Sequence, residues 1–185
     1  MTDVLHVDPA RDTALVRALA HPLRLALLTG LRRHGPATAT KLAQLLGESS
    51  GLTSYHLRVL AEHALVLDDP SRGNGRERWW RAAHRGTVFS GGGTDPEGVG
   101  ADYFRAVAAA YADQLVAFAR ENPSDDGWED VAELSSWQLR LSLSQARELH
   151  DGMHALLEQA RAAEPDGHAT FVDVQLAVMP RRPRP

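Results

Sequence analysis

Cysteine is absent from the 185-residue chain, which excludes disulfides, thiolate metal sites and cysteine nucleophiles. Long apolar runs are missing too, since no stretch approaches the ~18 uninterrupted apolar residues of a membrane helix. Met1 to Ala10 carries Asp3 and Asp8 and does not read as a signal peptide. Lysine occurs once, at Lys41, so nearly all the basic residues are arginines. Catalytic signatures are lacking as well. There is no Gly-x-Ser-x-Gly elbow, no His-Glu-x-x-His and no dinucleotide fingerprint. The glycines at 91–93 lack the Gly-Lys-Ser/Thr ending of a phosphate loop. With 43% hydrophobic and 24% charged residues, the chain reads as an ordinary globular protein. The expectation is a cytoplasmic protein that is not an enzyme and holds no cofactor.

The net charge of −4 conceals two halves of opposite sign. Residues 1–85 carry 12 basic and 8 acidic side chains, and residues 86–185 carry the acidic excess. The first half contains four apolar periodicities of helical type. One runs from about Pro9 to Ala20, with Ala14, Leu15, Ala18 and Leu19 on one face. Pro22 opens a second helix at its first position, which ends at His34-Gly35-Pro36. Thr38 is suited to cap a third helix, stopped by Gly47. A turn at 48–50 leads into a fourth helix, about Gly51 to His63.

This order matches a helix-turn-helix. The fourth helix is two-faced: Thr53, Leu57, Leu60 and Ala64 lie on one side, and Gly51, Ser54, Tyr55 and Arg58 on the other. Small residues let a backbone approach a partner, while Ser, Tyr and Arg can donate to base edges or phosphates. Leu65-Val66-Leu67 and Arg76 to Arg81 read as two strands joined across Asn74-Gly75, a hairpin signal. Arg72, Arg76 and Arg78 cluster at the hairpin tip and its return strand, where a wing lies along phosphates.

Leu19 to Val66 resembles the ArsR-type winged-helix transcriptional regulators of bacteria. The resemblance is carried by Ala20-His21-Pro22-Leu23-Arg24 and by Ser54-Tyr55-His56-Leu57-Arg58-Val59-Leu60. Ala64 stands where the family often has glycine. The resemblance implies a DNA-binding dimer, typically a repressor released from its operator by a small effector. Its DNA-contacting residues would be Ser50, Gly51, Ser54, Tyr55, Arg58, Arg72, Arg76 and Arg78. The Cys-x-Cys pair of arsenic-sensing members is replaced by Thr38, Ala39 and Thr40, so that metal site is absent.

Beyond the wing, residues 86–100 read as a glycine-rich linker. Residues 101–179 form a dimerisation and effector-sensing region, and residues 180–185 a basic disordered tail. Phe104, Val107, Tyr111, Leu115 and Phe118 recur at helical spacing. They read as a dimer or core seam rather than an effector pocket. Residues 136–142 and 171–178 alternate like strands, flanking a helix capped by Ser144 with Leu149, Met153, Leu156 and Ala160 as its buried stripe. His150, His154 and Glu158 share helical spacing suited to a metal, but read better as a solvated flank. The fold expected is α+β, mainly α: a winged helix-turn-helix over 10–85, then a helix-strand-helix-strand region. The function expected is a sequence-specific DNA-binding regulator. Its partners would be double-stranded operator DNA, a second copy of the chain and a small-molecule effector, with no membrane. The alternative is a winged-helix interaction module that does not read DNA.

Overall fold

The structure is a computed structural model that describes residues 4–72, 77–89, 98–121, 127–128, 130–167 and 169–181. The chain divides into two compact units, Met1–Glu121 and Asn122–Pro185.

The first unit opens with strand β1, Val4–Val7. The chain then turns on Asp8, whose Oδ1 accepts the Ala10 N–H at 3.0 Å and whose carbonyl accepts the N–H of Asp12 at 2.8 Å. That turn delays helix α1 to Thr13–Leu19, four residues later than its apolar spacing suggests. Helix α2, Pro22–His34, starts at the proline that has no N–H to satisfy. Thr38 caps helix α3, Ala39–Leu46, by accepting the Lys41 N–H at 3.3 Å. Gly47 ends α3 in the left-handed conformation (φ 69°), which costs a glycine little. Helix α4, Ser50–Glu62, is capped by the Ser49 hydroxyl, which accepts the Leu52 N–H.

Strand β2, Ala37–Thr38, joins β3, Val66–Asp68, and β4, Trp79–Ala82, in an antiparallel sheet ordered β2-β4-β3. The register sets Val66 opposite Ala82 and Asp68 opposite Trp80. The return strand therefore begins at Trp79 rather than Arg76. The expected Asn74-Gly75 turn, with Arg76, lies outside the described residues.

The expected linker over 86–100 is partly a strand. Gly86–Phe89 forms β5, which pairs in parallel with β1, Val4 opposite Gly86 and Val7 opposite Phe89. Each strand lacks a neighbour close in sequence, so neither is stable until the fold joins them. The glycines at 91–93 lie outside the described residues. Helix α5, Val99–Glu121, packs against α1 and α2 and belongs to this first unit. One core runs through the unit, with Val16, Leu19, Leu27, Leu28, Leu57, Leu60 and Leu65 fully buried and Tyr103 of α5 joining them. Each buried leucine contributes roughly 1.5–3 kcal/mol.

In the second unit, helix α6 spans Leu143–Ala162. Its cap is Ser142, not Ser144. The Ser142 hydroxyl accepts the Gln145 N–H at 3.3 Å, and Gln145 Oε1 accepts the Ser142 N–H at 2.8 Å. The two strands expected over 136–142 and 171–178 are not formed, and neither segment takes part in a ladder. Alternation places side chains on two faces but supplies no hydrogen-bonding neighbour. The stripe expected to be buried on α6 is open too, with Leu156 66% exposed, because nothing described in this unit covers it.

Candidate nucleic-acid interface

The segment Ala20 to Arg24 builds a corner between two helices. His21 Nδ1 accepts the Leu23 N–H at 3.2 Å and so caps α2 from outside. Arg24, one turn into α2, reaches back to the carbonyls that α1 leaves open. Its Nε donates to the Ala18 carbonyl and its Nη2 to the Arg17 carbonyl at 2.9 Å. The corner holds α2 against α4 through an aromatic contact, with the rings of His21 and His56 centred 4.4 Å apart. Burial lowers both imidazole pKa values, helped at His21 by Arg24 and at His56 by His21 and then Arg24, against an opposing pull from Glu48. Among the described residues His56 Nδ1 is buried with no hydrogen-bond partner, as is the Thr53 hydroxyl.

Behind α4, Thr53, His56, Leu57 and Leu60 are buried. In front, Ser50, Gly51, Tyr55 and Arg58 are exposed and Ser54 is half-buried. Tyr55, 58% exposed, leans edge-on against the His56 ring at 5.1 Å. Arg58 has no ion pair among the described residues. A Cβ added at Gly51 would meet nothing within 4 Å, so the helix opens on free space there. Leu52, 41% exposed, flanks this face. Glu62 also lies exposed at its far end, a carboxylate that the sequence reading passed over. Its spacing of four from Arg58 was the available signal.

The wing is less free than its arginines suggest. Arg78 Nε donates to Asp68 Oδ2 at 2.9 Å, and its guanidinium lies 4.1 Å from the centre of the Trp80 ring. Arg72 pairs with Asp69 at 3.5 Å. Lys41 of α3 sits 4.6 Å from the Trp79 ring centre, tying the helix-turn-helix to the sheet. Between β3 and α4, Ala64 is held at φ 54°, where its Cβ is strained. The glycine-like position noted in the sequence is thus a left-handed one.

A family described as a helix-turn-helix domain matches residues 19–69. The chain is 42% identical over 60 residues to the HTH-type transcriptional regulator NmtR of Mycobacterium tuberculosis, across 32% of this chain and 49% of that protein. Residues 19–69 are an ArsR-type helix-turn-helix domain. The match spans about half the length of that relative. A crystal structure of the adhesin competence repressor AdcR from Streptococcus pyogenes is similar over 84% of this chain and 88% of its own. Its identity is 13% and its TM-score 0.31.

Outside the ArsR-type domain, the expected dimer seam on α5 is split. Val107 is half-buried against the unit's own core, to which Tyr103 belongs, and Tyr111 is half-buried. Phe104, Leu115 and Phe118 are 52%, 38% and 40% exposed. On α6, His150 and His154 stack at 4.4 Å, His150 bonds Asp151, and Glu158 pairs with Arg161. Among the described residues no group of three metal-ligating side chains occurs, and no single helix is long and apolar enough to cross a membrane.

Proposed function

We propose that the protein is a cytoplasmic, sequence-specific DNA-binding transcriptional regulator, a homodimeric repressor released by a small molecule. The observation that carries this reading is the exposed face of α4. Gly51, Ser54, Tyr55 and Arg58 stand clear of the core there, on a helix anchored behind by Thr53, His56 and Leu57. Such a face fits a major groove, where Arg58 and Tyr55 donate to base edges or phosphates and Gly51 admits close approach of the backbone. Ser50 and Ser54 add short donors, and the wing arginines Arg72, Arg76 and Arg78 add phosphate attraction without sequence information. The exposed apolar half of α5, with Phe104, Leu115 and Phe118, supports pairing of two copies. Two recognition helices then require half-sites about 34 Å apart or a multiple of it. No catalytic step enters this reading.

A second reading, a winged-helix interaction module that does not read DNA, draws on the ion pairs that occupy Arg72 and Arg78. Fluorescence anisotropy on duplex from the gene's own upstream region, beside a scrambled duplex at two salt concentrations, separates the readings. The regulator binds the native duplex preferentially and loses affinity steeply with salt. Arg58→Ala weakens that binding by about tenfold or more without changing the oligomeric state. Equal, weak binding to both duplexes, unaffected by Arg58→Ala, would support the interaction module.

A further inference from the structure

The chain holds a guanidinium in its first unit that pairs with no carboxylate among the described residues. Arg32, near the end of α2, is half-buried. Its Nε donates to the His84 carbonyl at 2.9 Å and its Nη2 to the Thr87 hydroxyl at 2.8 Å. Both partners are neutral. Burial lowers its pKa to about 10, against the opposing effect of Tyr103 and Tyr111. No described carboxylate forms an ion pair with it. Buried charges are ordinarily paired, because desolvation costs more than neutral hydrogen bonds return. A guanidinium has five N–H groups, and the two bonds above leave the edge between Nη1 and Nη2 with one N–H on each nitrogen. That edge matches the two oxygens of a carboxylate.

Beside Thr87, strand β5 and helix α5 bring aromatic rings together. Thr87 and Phe89 share one face of β5, being two residues apart. Phe89 stacks on Tyr103 with ring centres at 4.5 Å and meets Phe104 edge-on at 4.9 Å. Tyr103 and Tyr111 both feel the Arg32 charge, which opposes the rise that burial gives their phenols. Thr87, Phe89 and Tyr111 are half-buried, and Phe104 is 52% exposed. A cation with N–H groups to spare beside a cluster of aromatic rings, of which Phe104 is exposed in the single chain, is a recognition chemistry.

We propose that Arg32, with Thr87, Phe89, Tyr103, Phe104 and Tyr111, forms a binding site for a small aromatic monocarboxylate. The carboxylate takes the Nη1–Nη2 edge and the ring packs between Phe104 and Tyr111. The ligand thereby bridges α2, which is anchored to α4 through His21, and α5. The site does not depend on the chain reading DNA, so ligand binding and DNA binding are tested apart.

The test is calorimetry and thermal melting of the full chain with benzoate, and with benzamide as its neutral counterpart of the same shape. Benzoate is expected to bind once per chain and raise the melting temperature, with benzamide at least about tenfold weaker. Arg32→Gln abolishes benzoate binding, and Tyr111→Phe and the exposed Phe104→Ser each weaken it several-fold. Should Arg32→Gln fail to fold, the latter two variants carry the test. Equal binding of benzoate and benzamide overturns the proposal, as does benzoate binding that survives in Phe104→Ser and Tyr111→Phe. So does a wild-type chain indifferent to benzoate whose self-association is loosened by Arg32→Gln, because a second copy then supplies the missing charge.

Discussion

The rings of His21 and His56 lie 4.4 Å apart at the corner where α2 begins and α4 passes behind it. Burial favours the neutral form of both imidazoles at this contact. His21 Nδ1 accepts the Leu23 N–H and carries no proton. His56 Nδ1 is buried without an acceptor for one. The cap therefore requires a neutral His21, and the ring contact is favoured by the same protonation state.

From this follows a pH dependence of stability. Burial holds both histidines below their ordinary value of 6.5, so the unfolded chain binds protons that the folded chain refuses. The contribution is complete above that value and is lost as pH falls from there through the lowered values. Urea unfolding at a series of pH values from 7.5 to 5 should show the midpoint falling as the solution is acidified. A flat profile across that window would mean the pair protonates as readily folded as unfolded.

Ala64→Gly should stabilise the chain. Ala64 sits at φ 54° with its backbone committed there by the Leu65 N–H, which donates to the Leu60 carbonyl at 2.9 Å. Relief of the left-handed strain, about 1–2 kcal/mol, exceeds the entropy that a glycine adds to the unfolded chain, about 0.4–1 kcal/mol. A net rise in melting temperature of a few degrees is expected, with no change in DNA affinity.

Gly51→Ala separates folding from recognition. Nothing stands within 4 Å of the added Cβ, and alanine favours a helix by up to about 1 kcal/mol over glycine. The variant should melt no lower than the parent. On the proposed DNA-binding reading it should bind operator several-fold more weakly, since the methyl fills the space a groove would occupy. Unchanged binding would take Gly51 out of the interface.

Asp68→Asn should tighten DNA binding and steepen its salt dependence. Arg78 is held by Asp68 at 2.9 Å, and an exposed ion pair of this kind adds only about 0–1 kcal/mol to stability. Removing the carboxylate frees the guanidinium for phosphate and deletes a repulsive charge. The expected gain is a few-fold in affinity at low salt, read by anisotropy, with little change in melting.

Much of the first unit was legible because its signals are local. Pro22 at a helix start, Thr38 as a cap, Gly47 as a stop and the two faces of α4 each depend on residues within a turn or two. Ala64 was marked by its departure from glycine, and its φ explains why. Reading Arg72 and Arg78 as phosphate contacts left out their carboxylates: Asp68 reaches Arg78 across the hairpin, whereas Asp69 pairs with Arg72 three residues away, a local spacing. Likewise, the apolar arc of α5 was visible, but its division into a buried half with Tyr103 and an exposed half with Phe104 was not.

By itself the sequence determined helices α2, α3 and α4, the Thr38 cap and the chemical character of the face that α4 presents. These follow from hydrogen-bonding and periodicity over a few residues, which short-range geometry dictates. Only the tertiary structure decided that Val4–Val7 pairs with Gly86–Phe89, that His21 rests on His56, and that Arg32 bonds the His84 carbonyl and the Thr87 hydroxyl. It also left 136–142 and 171–178 without a ladder. A strand or a buried charge is settled by its neighbour, and that neighbour is chosen by the fold.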